Sequence, residues 1–168
     1  IFLSTTSVYG VQEGEVDEDC PIDLLKPQSP YADSKLRAEQ LLSQLGDGEG
    51  LDFSICRFGT IFGTSTGMRF HTAVNKFCWQ AVTGQPITVW RTALDQKRPY
   101  LDLYDAIAAL KLIINRDLFG GGLYNVVTAN STVRNIVEAI SEHVPSVSIE
   151  YVDSPIMNQL SYNVNADH

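Results

Sequence analysis

Ser29-Pro30-Tyr31-Ala32-Asp33-Ser34-Lys35 is the stretch on which the fold turns. A Ser-Pro pair favours an extended residue and then a helix start, because the fixed φ of proline suits the first helical position and disfavours helix in the residue before it. Residues 30–45 accordingly read as a helix, with Tyr31, Lys35, Ala38, Leu42 and Leu45 on one stripe and Gly46-Asp47-Gly48-Glu49-Gly50 as its end. Strand candidates flank it. Ile1-Phe2-Leu3 runs into Ser4-Thr5-Thr6-Ser7-Val8-Tyr9-Gly10, and residues 52–58 read Asp-Phe-Ser-Ile-Cys-Arg-Phe. Strand, helix and strand in this order imply a parallel pair joined by a right-handed crossover.

The remainder continues the alternation. A glycine-punctuated loop over residues 59–67 leads to a helix over 69–82, closed by Thr83-Gly84, and then to short strands at 87–90 and 98–103. Residues 104–114 form a helix candidate that is apolar nearly all round, which predicts deep burial. Gly120-Gly121-Gly122 turns the chain into a strand at 123–127. A helix over 132–144, capped by Ser131 or Thr132, carries Val133, Ile136, Val137, Ile140 and Val144 at core spacing, and a last strand is expected at 147–152. The pattern is that of an α/β fold, Rossmann-like, with a mostly parallel sheet and a smaller α/β part. Such sheets hold ligands at the carboxyl ends of their strands, where Thr5 and the loop after Phe58 both fall.

The 168 residues are 44% apolar and 19% charged, enough for a core of ordinary size. No apolar run approaches the ~20 residues of a membrane span, and the opening residues lack the basic flank of a signal peptide, so a cytoplasmic location is expected. A net charge of -8 argues against general nucleic-acid binding. The charge is uneven, however: Arg57, Arg69, Lys76, Arg91, Lys97 and Arg98 stand against a single acid, Asp95, in a stretch that could face an anion. Glu13, Glu15, Asp17, Glu18, Asp19 and Asp23 read as a solvated acidic loop. Cys20, Cys56 and Cys78 are too few and too far apart for a disulfide framework and are expected to be free buried thiols. His71, His143 and His168 are equally scattered, and no metal site is expected.

Tyrosine and lysine four apart share a helix face, so the Lys35 ammonium can favour the ionised form of the Tyr31 phenol and make it a general base. Such a base could take a proton from a substrate hydroxyl while the carbon beneath loses hydride to a nicotinamide ring, with the Thr5 hydroxyl holding the same oxygen.

Four blocks in order carry a resemblance: Ser4 to Gly10, Ser29 to Lys35, Arg57-Phe58-Gly59-Thr60-Ile61-Phe62-Gly63, and Lys97-Arg98-Pro99-Tyr100-Leu101-Asp102-Leu103-Tyr104-Asp105. Together they resemble the extended short-chain dehydrogenase/reductases, and within these the NAD-dependent epimerase/dehydratase group acting on nucleotide sugars. The resemblance implies that Tyr31 is the catalytic base and Lys35 its partner, which also binds the nicotinamide ribose. It implies that Thr5 bonds the reacting sugar oxygen and that Phe58, Gly59, Thr60 and Ile61 lie beside the nicotinamide, with Thr60 where relatives often carry asparagine. Thr6 and Thr60 are implied on the substrate side, and Arg98 at the substrate diphosphate. The cofactor would be NAD or NADP, the substrate a nucleotide-linked sugar, and a homodimer could form through the Tyr31/Lys35 helix.

The departures are informative. Family members open with a strand and a Gly-x-x-Gly-x-x-Gly turn that holds the cofactor pyrophosphate, and these residues do not contain one. The expectation is a fragment of a protein about twice as long. In it, residues 1–63 would be the C-terminal half of a dinucleotide-binding domain and residues 64–168 a substrate-binding part interleaved with returning Rossmann elements. Such a fragment would bind dinucleotide weakly and would itself be inactive. Dehydratases of the group follow the strand-end threonine with Asp-Glu, whereas Thr6-Ser7 stand here, which disfavours a 4,6-dehydratase and leaves epimerisation, oxidation or ketoreduction. Two alternatives stay open: a non-catalytic NAD(P)-binding regulatory member of the fold, and a dehydrogenase acting on a neutral alcohol.

Overall fold

A computed structural model describes residues 1–12, 14–153 and 162–166. Its centre is a three-stranded parallel sheet in the order β1-β3-β7, built from β1 (Phe2–Thr5), β3 (Phe53–Phe58) and β7 (Gly120–Val126). Every residue of β3 is buried, as its central place between two partners requires. A short pair, β2 (Glu15–Val16) with β10 (Asn163–Val164), closes the chain back onto the acidic loop.

Helix α1 (Pro30–Glu49) joins β1 to β3. Ser29 caps it, its side chain accepting from the Ala32 amide, and Pro30 opens the first turn. The helix runs through Gly46 and Gly48 rather than ending there. Gly46 lies against the Phe53 ring, where a Cβ would come within 2.5 Å of a ring carbon, and Gly50 in the left-handed conformation supplies the stop instead. The face that α1 buries is set one residue on from the expected stripe: Ala32, Leu36 and Glu39 are buried, while Tyr31 stays exposed and Lys35 is half-buried.

A second layer consists of β4 (Thr60–Phe62), β6 (Lys97–Asp102) and β8 (Ala129–Thr132), with β6 parallel to β4 and antiparallel to β8. The sequence pattern missed both β4 and β8, which are too short to show a period. A third pair is β5 (Ile87–Trp90) with β9 (Ile149–Val152). Helices α2 (Ala73–Val82) and α4 (Val133–His143) pack together over this end, burying Phe77, Ala81, Val133 and Val137 with Ile87 and Val89. Thr132 caps α4 through the Asn135 amide, as its position suggested.

Helix α3 (Leu103–Arg116) departs from expectation. Its Ala106 and Ile113 pack with Cys56, Phe58, Leu101 and Val126, but Ile107, Leu112 and Ile114 are exposed, because among the described residues only one face of the helix meets the sheet. The cysteines are free, yet only Cys56 is buried; Cys20 is half-buried and Cys78 exposed. Among the described residues no helix is long and apolar enough to cross a membrane, and no three His, Cys, Asp or Glu side chains converge as a metal site would need.

Candidate active site

At the carboxyl ends of β1 and β3 lies a cleft of about 650 Å³. Thr5, Tyr31 and Lys35 all line it, so three residues up to thirty positions apart in sequence meet at one cleft. Phe58, Gly59, Thr60 and Ile61 line it as well, with Phe58 beside Thr5 in the register of β1 and β3. The fold explains the meeting: β1 delivers Thr5 at its last residue, the first turns of α1 deliver Tyr31 and Lys35, and β3 ends at Phe58.

The Lys35 ammonium lies 5.9 Å from the centre of the Tyr31 ring and 4.8 Å from that of Phe2, and it donates to the Leu3 carbonyl at 2.8 Å. It is therefore tethered to the strand that carries Thr5. Tyr31 is 57% exposed and its ring opens onto the cleft. The Thr5 hydroxyl accepts from the Ser7 amide at 3.2 Å, capping the tight helical turn Thr6–Tyr9, which leaves its own proton free to donate. Thr6 is held differently: its hydroxyl donates to the Phe58 carbonyl at 3.3 Å and accepts from the Tyr162 phenol at 3.4 Å, and the residue is 2% exposed.

Arg98 lies outside this cleft, in an adjoining pocket of about 330 Å³ lined also by His71, Lys76, Trp90 and Phe77. Thr60 and Thr72 line both, so the two spaces are neighbours. Of the basic stretch read as anion-facing, Arg69, Lys76 and Arg98 do line these spaces. Arg57 does not, being 3% exposed and clamped on Glu39. Burial works against the Arg57 charge, but the hydrogen bonds and charge of Glu39, with Tyr9, hold its pKa above the ordinary arginine value.

Sequence reasoning did not find Asn75. Its Oδ1 accepts from the Gly63 amide and its Nδ2 donates to the Arg69 carbonyl, both at 3.1 Å, so it pins the ends of the cleft's outer loop. An asparagine in the first turn of helix α2, beside the glycine-punctuated loop, was the available signal.

A model of the NAD dependent epimerase/dehydratase family matches residues 1–126, three quarters of the chain. The chain belongs to this family. A UDP-glucose 4-epimerase of Azospirillum brasilense is 30% identical over 167 residues, covering 87% of the chain and 47% of that protein. An uncharacterised UDP-glucose epimerase of Bacillus subtilis is 28% identical over 145 residues, 84% of the chain and 43% of its own length. Among solved structures, Thermus thermophilus UDP-glucose 4-epimerase in complex with NAD superposes with a TM-score of 0.81 at 27% identity, over 98% of this chain and 54% of that one. The chain thus spans about half the length of each of these three proteins. The neighbours share its Rossmann-like α/β architecture.

Proposed function

We propose that this chain carries the catalytic side of an NAD(P)-dependent enzyme that epimerises, oxidises or reduces a nucleotide-linked sugar. The observation that carries the reading is the single cleft shared by Thr5, Tyr31 and Lys35, next to an aromatic pocket with Arg98, Lys76 and His71. The cleft suits the nicotinamide nucleoside half of the cofactor: Lys35 and the Tyr31 hydroxyl would meet ribose hydroxyls, and the rim from Phe58 to Ile61 would lie beside the ring. When bound, the cofactor supplies hydride acceptance and return.

The residues of the chain do the proton work. Tyr31, acting in its ionised form, takes the proton from the substrate hydroxyl and becomes the neutral phenol, and Lys35 places its positive charge on the same helix face beside it. Thr5 donates to the substrate oxygen from its free proton. It thereby holds the reacting carbon in place, and such orientation is one source of the rate advantage of a two-reactant site. Arg98 and Lys76 fit a diphosphate, the arginine with a planar fork and the lysine as a point charge, and Trp90 offers an apolar face for a base. The UDP-glucose epimerases among the relatives support a nucleoside-diphosphate sugar as substrate.

Arg98→Ala tests the substrate class in the intact gene product. The Kd for a nucleoside-diphosphate sugar should rise by about tenfold, as expected for losing one charge-assisted contact. Binding of a neutral alcohol should not change. An unaltered Kd for the sugar nucleotide would refute the assignment, and turnover of the neutral alcohol alone would favour a different dehydrogenase.

A further inference from the structure

Three elements bring functional side chains to the cleft, and one buried polar cluster joins all three. Glu39 is 3% exposed and sits on the α1 face four residues on from Lys35. It accepts the Ser4 hydroxyl proton, from the residue before Thr5 on β1. It is also clamped by Arg57, the residue before Phe58 on β3: Nε lies 3.2 Å from both carboxylate oxygens and Nη2 2.7 Å from Oε2. The guanidinium carbon stands 4.8 Å from the Tyr9 ring centre, and the single Tyr9 phenol proton has two acceptors in reach, Asn125 Oδ1 at 2.9 Å and the Asp17 carbonyl at 2.8 Å, the first of them on β7.

Stability alone does not account for such a cluster. Taking two charges out of water is costly, and apolar side chains of like volume in the same space commonly give an equal or greater stability. What a forked ion pair adds is geometry, since a bidentate contact fixes angle as well as distance. Helix α1 has use for it: besides Glu39 its fully buried residues are the small Ala32 and Leu36, while Ala38, Leu42 and Leu45 are half-buried. Apolar contact of that extent leaves rotation and sliding of the helix weakly specified.

We propose that Glu39 and Arg57 are positioning residues that set the rotation and axial register of α1 on β1 and β3, and so the placement of Tyr31 and Lys35 against Thr5. Glu39 lies ~6 Å along the helix axis from Lys35 and ~12 Å from Tyr31, within one rigid helical segment. A shift at Glu39 therefore reaches the phenol almost undiminished, and a misplacement of ~1 Å costs ~100-fold in rate. The turnover arm of the test rests on the function proposed above; the structural arm does not.

The test replaces the cluster by apolar groups without leaving an orphan: Ser4→Ala, Glu39→Leu and Arg57→Met together, in the intact gene product. A merely structural role would be satisfied by a variant that folds as well as the parent, and turnover would persist. Positioning predicts a Tm near that of the parent with kcat lower by about 100-fold and KM nearly unchanged. A second readout needs no substrate: 3-fluorotyrosine is incorporated and the Tyr31 resonance, assigned by its loss in Tyr31→Phe, is followed by fluorine NMR. The resonance should move in the apolar variant. If the folded variant keeps both its turnover and its Tyr31 resonance, the proposal is overturned. If the parent turns over no sugar nucleotide, the proposed function fails while the resonance still decides the positioning role. Should the triple variant not fold, Arg57→Lys, which keeps the charge and loses the fork, is expected to lower kcat by about tenfold and to shift the same resonance. Unchanged values of both would equally overturn the proposal.

Discussion

Replacing Gly10 by alanine should strain the turn that begins at Thr5. Gly10 ends the tight helical segment Thr6–Tyr9 with φ 71 and ψ -134, a conformation that L residues other than glycine scarcely adopt. A Cβ built there would lie 1.9 Å from the Lys26 carbonyl oxygen and 2.7 Å from its carbon, so backbone must move against backbone. The conformational strain is worth about 1–3 kcal/mol and the steric overlap a similar amount. The loss should therefore be about 3 kcal/mol. For a domain of this size that lowers Tm by about 6–12 °C. Two hydrogen bonds are exposed to the shift, from the Gly10 amide to Ser7 and from the Lys26 amide to Tyr9. Thermal and urea unfolding of parent and variant would measure it. A variant melting within about 1 °C of the parent would refute the close approach of the two backbone segments.

Two further outcomes follow from buried polar groups. Burial pushes the Cys56 thiol up to about 11, so its folded pKa lies above the unfolded value of 9.0; the contribution to stability is complete below pH 9.0 and is lost as pH rises through about 11. The loss is at most about 2–3 kcal/mol. Because burial also raises Tyr9, Tyr100 and Tyr162, the reading is the difference between parent and Cys56→Ala, whose urea midpoint should fall less steeply over that range; identical slopes would contradict the assignment. Asn75→Ala removes both bonds that pin the cleft's outer loop and should cost about 1–3 kcal/mol in urea unfolding, whereas an unchanged midpoint would show those bonds to be dispensable.

Much of the fold was legible because it is written in periodic apolar residues and in punctuation. The cap at Ser29, the apolar run of β3 and the spacing of α4 each force one local structure, and Thr5 reached the cleft with Tyr31 and Lys35 because consecutive parallel strands end on the same side. What stayed hidden depends on partners distant in sequence. Glutamate and arginine read as surface residues, so nothing local tells that Glu39 and Arg57 neutralise each other inside the sheet-helix interface. The basic stretch was overcounted for the same reason. Gly46 read as a helix stop, when its role is to let the Phe53 ring approach a continuing helix. The apolar residues of α3 suggested burial on all sides, but periodicity reports composition around a helix and not how many neighbours it has.

Single-turnover formation of reduced nicotinamide from a sugar nucleotide, compared between the parent and Tyr31→Phe in the intact gene product, decides whether Tyr31 is the base. The variant should still bind cofactor, weakened at most by the one lost ribose contact, while hydride transfer slows by at least ~100-fold, the scale of a lost general base. Hydride transfer at the parent rate in Tyr31→Phe would contradict that role.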